Sequence, residues 1–296
     1  QVDATLLHNM QRQTKRAAST NPADYKIYIN PGHGGYGSDD RLMYLYPIFK
    51  DVGNSALNES GQYTREQSFW ESTSNLDKGL RLDTMLRDLG FQTKMSRITN
   101  TTADDRSLSG ISAEASNWNA DFMLSIHSNA GNPSNYILHL HSGITPGDPY
   151  GLNGYPEKVP EWVCNEARAI TTLMGSYQYS NQVSCWSREP NIAGDKTFAR
   201  TIMGWSNGYG VMRNLKVPGT ISEGMMHDYL PETYRLMNID YKRQESFQFA
   251  KTFYDYFCDS ELPYGAIGGR IHDVYQKQIF PNYKARKGTR DEFRPI

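Results

Sequence analysis

Two histidines occupy positions from which they could bind a common metal ion. His33 lies in the run Pro31 to Gly35 (Pro-Gly-His-Gly-Gly), directly after a short β-rich segment. His127 ends an apolar run in the same way, just before Asn129. Because ligands gather outside the carboxyl ends of strands in parallel α/β sheets, both imidazoles are expected at one sheet edge. Imidazole suits zinc, and a catalytic zinc keeps three protein ligands and one open position.

Each of these residues also has a simpler interpretation. A histidine in a glycine-rich turn is commonly a hydrogen-bonding loop residue, and a glutamate that opens a helix commonly interacts with the helix dipole. The third ligand of such a site would be a carboxylate or another histidine, and Glu59, Glu66 and Glu71 all lie in the stretch between the two histidines. Residue types alone leave that choice open.

The elements that would position these residues alternate between strand and helix. Strands are predicted at 26–29, 91–95, 121–126, 135–141 and 219–222, and helices at 68–89, 109–118, 161–175, 231–237 and 241–257. This order favours an α/β fold with a single twisted, mainly parallel sheet flanked by helices. Long stretches at 34–63, 145–160 and 176–201 are predicted to be loops or insertions.

Three regions are expected along the chain. Residues 1–24 are a lead-in segment, and residues 25–260 are the main α/β domain. Residues 261–296 are rich in Gly and Ile at their start, which is typical of a short β-like extension or of the first strands of a further β domain in a longer chain. So short a segment cannot form a stable β domain alone.

Composition excludes several classes of function. Lys and Arg total 31 against 32 Asp and Glu, a net charge of -1, so nothing attracts the chain to nucleic acid in general. No apolar run reaches the roughly 18 residues of a membrane span, and the start has no hydrophobic secretory core. The chain has 3 cysteines, which allow at most one disulfide.

Four motifs, in order, resemble one enzyme family from Tyr25 to about Phe257. They are the run Pro31 to Gly35; Glu71 followed by Asn75-Leu76, Gly90 and Arg97; Ala120-Asp121 leading into Ser125 to Ala130; and Ile221 to Gly224. This combination is similar to the zinc-dependent N-acetylmuramoyl-L-alanine amidases of the amidase type 3 family. The combination is far more specific than any one of its motifs.

The resemblance implies a site and a reaction. His33, Glu71 and His127 would bind one zinc ion, and Glu223 would be the general base that activates water. The reaction would be hydrolysis of the amide bond between N-acetylmuramic acid and L-alanine in peptidoglycan. The substrate would be peptidoglycan or a muropeptide, and the enzyme would be bacterial and either periplasmic or extracellular.

Further polar residues are predicted to contact the substrate. Asn129 lies in the motif that contains His127, Arg97 follows the strand predicted at 91–95, and His227 lies shortly after Glu223. His139 and His141 occupy alternate positions of a strand and so share one face. This last pair could chelate a second metal ion, although a cleft-facing or solvated strand face explains it more simply.

Two rival functions remain open. A zinc amidase or peptidase acting on a related glycopeptide would use the same scaffold, and the long loops favour this alternative. A non-catalytic cell-wall-binding module would keep the fold without the chemistry. The presence of all four polar site residues argues against the second rival, because a catalytically inactive relative often lacks the base or a ligand.

Overall fold

The computed structural model describes residues 19–35, 42–43, 69–130, 137–142, 161–180, 191–228 and 230–265. Most of the predicted lead-in segment, much of the predicted loops and the extension beyond residue 265 lie outside the described residues. The described part holds the four motifs and the elements that carry them.

A six-stranded sheet forms the centre of the protein. The described residues form eight strands, six of them in this sheet: β1 (Lys26–Pro31), β2 (Leu42–Met43), β3 (Phe69–Trp70), β4 (Gln92–Met95), β5 (Phe122–Asn129), β6 (Leu138–His141), β7 (Asn191–Gly194) and β8 (Gly219–Met226). The central sheet has the order β4-β1-β5-β8-β6-β7, and its first four strands are parallel. Strand β6 is antiparallel to β8 and parallel to β7, whereas β2 and β3 form a separate antiparallel pair. The predicted mainly parallel α/β sheet is confirmed.

Helices cover both faces of this sheet. They are α1 (Glu71–Asp88), α2 (Leu108–Asn117), α3 (Glu161–Ser180), α4 (Asp195–Met203), α5 (Leu230–Met237) and α6 (Ile239–Cys258). Gly90, the second residue after the end of α1, has a φ of +95°, a left-handed conformation that favours glycine where a helix ends. The helices predicted at 68–89, 109–118, 231–237 and 241–257 all form, with limits within a few residues of the predicted ones.

Alternation along the strands divides the apolar core into two layers. On β5, Phe122 and Leu124 pack into a cluster with residues of α1, α3 and α6. Met123 faces the other way, into a cluster with Ile111 of α2 and Ile221 of β8. Successive side chains of a strand point to opposite faces, so each strand residue belongs to one layer or the other.

The prediction of a loop or insertion at 176–201 is wrong for residues 176–180 and 191–201, whereas residues 181–190 lie outside the described residues. Helix α3 continues to Ser180, and residues 191–203 form strand β7 and helix α4. Strand β7 has four residues at the sheet edge and is held by pairing with β6, where Ile192 lies opposite His139. Four residues are too few to show the alternation by which a strand is recognised from sequence. The strand is stabilised by pairing with β6, and its own sequence does not record that pairing.

Three parallel strands end at the same edge of the sheet. Pro31 at the end of β1 pairs with Ile126 of β5, and the Gly32 N–H donates to the Ile126 carbonyl at 2.9 Å. Strand β8 runs past the predicted end at Ser222, so that Glu223 lies within it and opposite His127. The sheet therefore delivers the histidine turn, His127 and Glu223 to one place.

A buried ion pair joins two helices behind that edge. The Lys78 Nζ of α1 lies 2.9 Å from Glu245 Oε2 of α6, and both side chains are almost fully buried. The Ser246 hydroxyl donates to the Lys78 carbonyl at 2.9 Å. A Cβ on Gly224 would lie 2.4 Å from Glu245 Oε1, so β8 packs directly on this pair. The pair thus connects α1 with α6 at the point where Glu245 lies against β8.

Replacing one partner of this pair should destabilise the protein strongly. Glu245→Gln leaves the charge of Lys78 buried without its counter-ion, and we expect a loss of about 3–5 kcal/mol in the free energy of unfolding, measured by urea denaturation. Arg243→Ala is the control on the same helix. It breaks the exposed pair of Arg243 with Asp240 and should cost less than about 1 kcal/mol. Equal losses in the two variants would contradict a structural role for the buried pair.

Candidate metal centre and active site

A tight turn at the end of β1 carries His33. Its φ of 61° lies in the left-handed region, which residues other than glycine rarely adopt. The glycines on either side permit close approach. A Cβ on Gly32 would lie 2.1 Å from the His127 ring, and one on Gly34 would lie 2.5 Å from the backbone of Asp104. The glycine-rich run is therefore a steric requirement of the site.

Glu71 is the first residue of α1 and is 1% exposed. The Ser128 backbone N–H donates to Glu71 Oε1 at 2.8 Å, and the Asn75 side-chain amide donates to the same oxygen at 3.2 Å. The Asn75 amide also lies 3.4 Å from the Gly32 carbonyl oxygen, on the turn before His33. These donors fix the orientation of a carboxylate that has almost no contact with solvent.

His33, Glu71 and His127 converge on one point. The Glu71 carboxylate lies between the two rings, with His33 Nε2 at 3.3 Å from Oε2 and His127 Nδ1 at 3.2 Å from Oε1. One ligand atom from each residue lies within 4.8 Å of the other two. Two imidazole nitrogens and a carboxylate oxygen are a donor set that zinc accepts. The histidine side chains are 19% and 18% exposed, so both rings keep some surface in contact with solvent.

Electrostatics at the cluster favour the forms that bind a metal ion. Burial on its own raises the pKa of the Glu71 carboxyl, but the imidazoles of His33 and His127 outweigh burial and hold this pKa well below its usual range. Burial lowers the pKa of His127, although Glu71 acts in the opposite direction. An ionised carboxylate and a neutral imidazole are the ligand forms that metal binding requires.

Glu223 lies beside the cluster. It is the cross-strand partner of His127 in the β5–β8 register, and paired residues of neighbouring strands present their side chains on the same face. Glu223 is 8% exposed. Among the described residues, the group that could hold a metal consists of His33, Glu71 and His127. The arrangement thus has three potential ligands and, next to them, a second carboxylate outside the ligand group.

Comparison with known families agrees with this geometry. A family model described as N-acetylmuramoyl-L-alanine amidase, amidase type 3, matches residues 27–245. The chain belongs to this amidase family. It is therefore a hydrolase that acts on an amide bond of peptidoglycan. A search of curated protein sequences finds no match.

Solved structures of family members have the same fold. An N-acetylmuramoyl-L-alanine amidase from Clostridium difficile 630 aligns with a TM-score of 0.51 at 20% identity, covering 78% of this chain and 96% of that one. The Ami1 amidase from Mycobacterium smegmatis gives 0.53 at 14% identity, with 81% and 100% covered. The catalytic domain of CwlV from Bacillus (Paenibacillus) polymyxa gives 0.51 at 16% identity, with 78% and 97% covered. Because the identities are this low, these structural alignments show a common fold alone.

Within the described part of this amidase, no helix has both the length and the apolar character that crossing a bilayer requires.

Arg97, predicted as a substrate contact, lies inside the protein. It is 5% exposed, and its guanidinium donates to the carbonyls of Pro31 at 2.9 Å, Gly32 at 3.1 Å and Ser72 at 2.7 Å. It therefore ties the turn that carries His33 to the first turn of α1. A planar guanidinium has five donors in fixed geometry and can hold several carbonyls at once.

The remaining predicted contacts divide into two groups. Asn129 is partly exposed at the end of β5, next to the cluster. His227 is 4% exposed, with its Nδ1 3.8 Å from Glu71 Oε2. His139 and His141 are 0% and 2% exposed. Since Leu138 is the residue paired with Glu223, these two histidines alternate onto the opposite face of the sheet, and the structure does not bring them to the cluster.

Two groups that orient Glu71, the Asn75 amide and the Ser128 backbone N–H, were not predicted from the sequence to do so. Asn75 belongs to a quoted motif, but it was not assigned the hydrogen bond that its amide donates to the Glu71 carboxylate. The Ser128 donor is a backbone N–H, whose target depends only on tertiary structure. The spacing from Glu71 to Asn75, one turn apart on a helix, is the signal that predicts the first of these contacts.

Adding a methyl group at Gly32 should displace the His127 ring. Gly32→Ala places a Cβ where the ring now lies, and we expect affinity for a divalent metal ion, measured calorimetrically with Zn²⁺, to fall at least about tenfold. Gly265→Ala is the control, because nothing lies within 4 Å of a Cβ there. Unchanged affinity in Gly32→Ala would mean that the ring position is not needed for binding.

Proposed function

We propose that this amidase uses one zinc ion, bound by His33, Glu71 and His127, to hydrolyse the bond between N-acetylmuramic acid and L-alanine in peptidoglycan. Glu223 is the general base of the reaction. The observation that carries the proposal is the convergence of two accessible imidazoles on one buried carboxylate, with their ligand atoms within 4.8 Å.

The donor set fits zinc on chemical grounds. Nitrogen and carboxylate oxygen ligands in a set of three are typical of catalytic zinc sites, which keep one position open for the reaction. A zinc ion bound there would polarise the scissile carbonyl and acidify the attacking water. The Glu71 carboxylate contributes the negative charge of the site, and its hydrogen bonds with Ser128 and Asn75 orient it.

Glu223 supplies the proton transfers. Its carboxylate takes a proton from water as the water oxygen bonds to the carbonyl carbon, and it returns a proton to the amide nitrogen as the carbon–nitrogen bond breaks. The products are a carboxylate on the muramoyl group and a free amine on L-alanine. The position of Glu223, opposite His127 and outside the ligand group, supports this separate role.

The open side of the cluster indicates where the substrate binds. His33 and His127 each keep part of their side chain exposed, and the partly exposed Asn129 lies two residues after His127. We assign Asn129 as a substrate contact, because a side-chain amide can both donate to and accept from the peptide stem. A peptidoglycan substrate implies a periplasmic or extracellular site of action.

Purified muropeptides provide the direct test of substrate and metal. With zinc bound, the enzyme should release free stem peptides with an N-terminal L-alanine and leave the glycan intact, as detected by mass spectrometry. Chelation should abolish the reaction, and added Zn²⁺ should restore it. Cleavage within the stem would instead identify a peptidase. No cleavage together with no zinc uptake would indicate a non-catalytic wall-binding protein.

Replacing the base should separate catalysis from metal binding. Glu223→Gln should lower turnover by roughly 10²–10⁴-fold, because the amide cannot accept the water proton. Bound zinc, measured by elemental analysis, should stay at the wild-type level. Full activity, or loss of the metal, would show that Glu223 has a different role.

The matched control for that variant is Glu114→Gln on α2. Glu114 pairs with Lys94 at 2.8 Å and with Arg106, away from the cluster. This substitution changes the same chemical group and should leave both turnover and zinc content close to the wild-type values.

A further inference from the structure

His227 has a fixed and enclosed position. It follows β8 directly, and its backbone N–H donates to the Asn129 carbonyl at 2.8 Å. The Thr233 hydroxyl donates to the His227 carbonyl at 2.7 Å. The imidazole stacks on the ring of Phe69, with centroids 5.9 Å apart and planes at 28°. Contacts with three separate segments thus hold a ring that is 4% exposed.

The ring nitrogen of His227 points toward the groups that orient Glu71. His227 Nδ1 lies 2.9 Å from the Ser128 hydroxyl oxygen and 3.1 Å from the Ser128 carbonyl oxygen. The N–H of this same Ser128 donates to Glu71 Oε1 at 2.8 Å. His227 Nδ1 is also 3.8 Å from Glu71 Oε2, beyond hydrogen-bond distance. His227 therefore reaches Glu71 mainly through Ser128.

Glu71 needs support of this kind because of its place in the fold. It follows β3, which pairs with β2 and is not part of the six-stranded sheet. His227 stacks on Phe69 of β3, just before Glu71, and also contacts Ser128 at the end of β5. It thereby connects the segment that carries the buried carboxylate to the sheet edge that carries His127.

We propose that His227 is a positioning residue, which holds Glu71 in the geometry that metal binding requires through Ser128 and Phe69. This inference rests on the proposed zinc site. It replaces the predicted role of His227 in contacting the substrate, because a side chain that is 5% exposed is enclosed by protein. Residues that orient metal ligands commonly control affinity although they do not touch the metal.

Two amide substitutions separate the ring contacts. The side-chain nitrogen of His227→Asn reaches the position of Nδ1 and can keep the contact with Ser128. In His227→Gln the nitrogen reaches the position of Nε2 and loses that contact. We expect His227→Asn to bind Zn²⁺ nearly as tightly as the wild type and His227→Gln to bind about 10–100-fold more weakly, by calorimetric competition with a chelator.

A spectroscopic readout and a matched histidine control complete the experiment. The visible absorption of bound Co²⁺ should be unchanged in His227→Asn and altered in His227→Gln, because it reports the arrangement of the ligands. His141→Gln changes a histidine that is equally buried, on the opposite face of the sheet. It can lower the melting temperature, but it should leave zinc affinity and the cobalt spectrum unchanged.

The outcomes distinguish this inference from the proposed function. If the wild type binds zinc and both His227 variants bind it as tightly as the wild type does, His227 has no positioning role and the zinc site stands. If His141→Gln weakens zinc binding as much as His227→Gln, the effect is general destabilisation and the inference is overturned. If the wild type takes up no zinc, the proposed zinc site and the inference both fail.

Discussion

The charge of the buried Glu71 carboxylate must be stabilised by neighbouring groups, and these groups come from several elements at one edge of the sheet. Burial of an ion costs several kcal/mol unless charges and hydrogen bonds offset it. The compensation comes from three segments: the turn that carries His33, the end of β5, and α1, through Asn75. Elements far apart in sequence must therefore meet here, and any shift among them leaves the charge poorly solvated.

Close packing around the turn after β1 makes this convergence possible. Gly32 lets the backbone lie against the His127 ring, and Gly34 lets it lie against the segment at Asp104. Arg97 then ties this turn to the start of α1 through three backbone carbonyls. The glycines allow the close approach and the Arg97 hydrogen bonds hold it. Both are needed, because a turn without side chains at Gly32 and Gly34 makes few contacts of its own.

Strand pairing decides which polar residues belong to the site. In the aligned row across β5, β8 and β6, His127, Glu223 and Leu138 share one face of the sheet. One residue further along β6, His139 turns to the opposite face and is fully buried. The Gly224 backbone rests on Glu245, whose pair with Lys78 connects α1 with α6. The face that carries Glu223 and the face that packs on a buried ion pair thus lie on either side of the same strand.

The sequence by itself determined the α/β class and most helices, because apolar periodicity is local. It also indicated His33, Glu71, His127 and Glu223 as candidate site residues, because the ordered motifs resemble one family. It did not determine β7, whose four residues are stabilised by pairing with β6. Nor did it determine that Arg97 lies inside the protein, that His139 and His141 face away from the cluster, or that the His227 ring contacts Ser128. These features depend on strand register and on contacts such as that of His227 with Ser128, which are 99 residues apart. Only the tertiary structure decides such contacts, because no local pattern specifies the partner of a buried polar group.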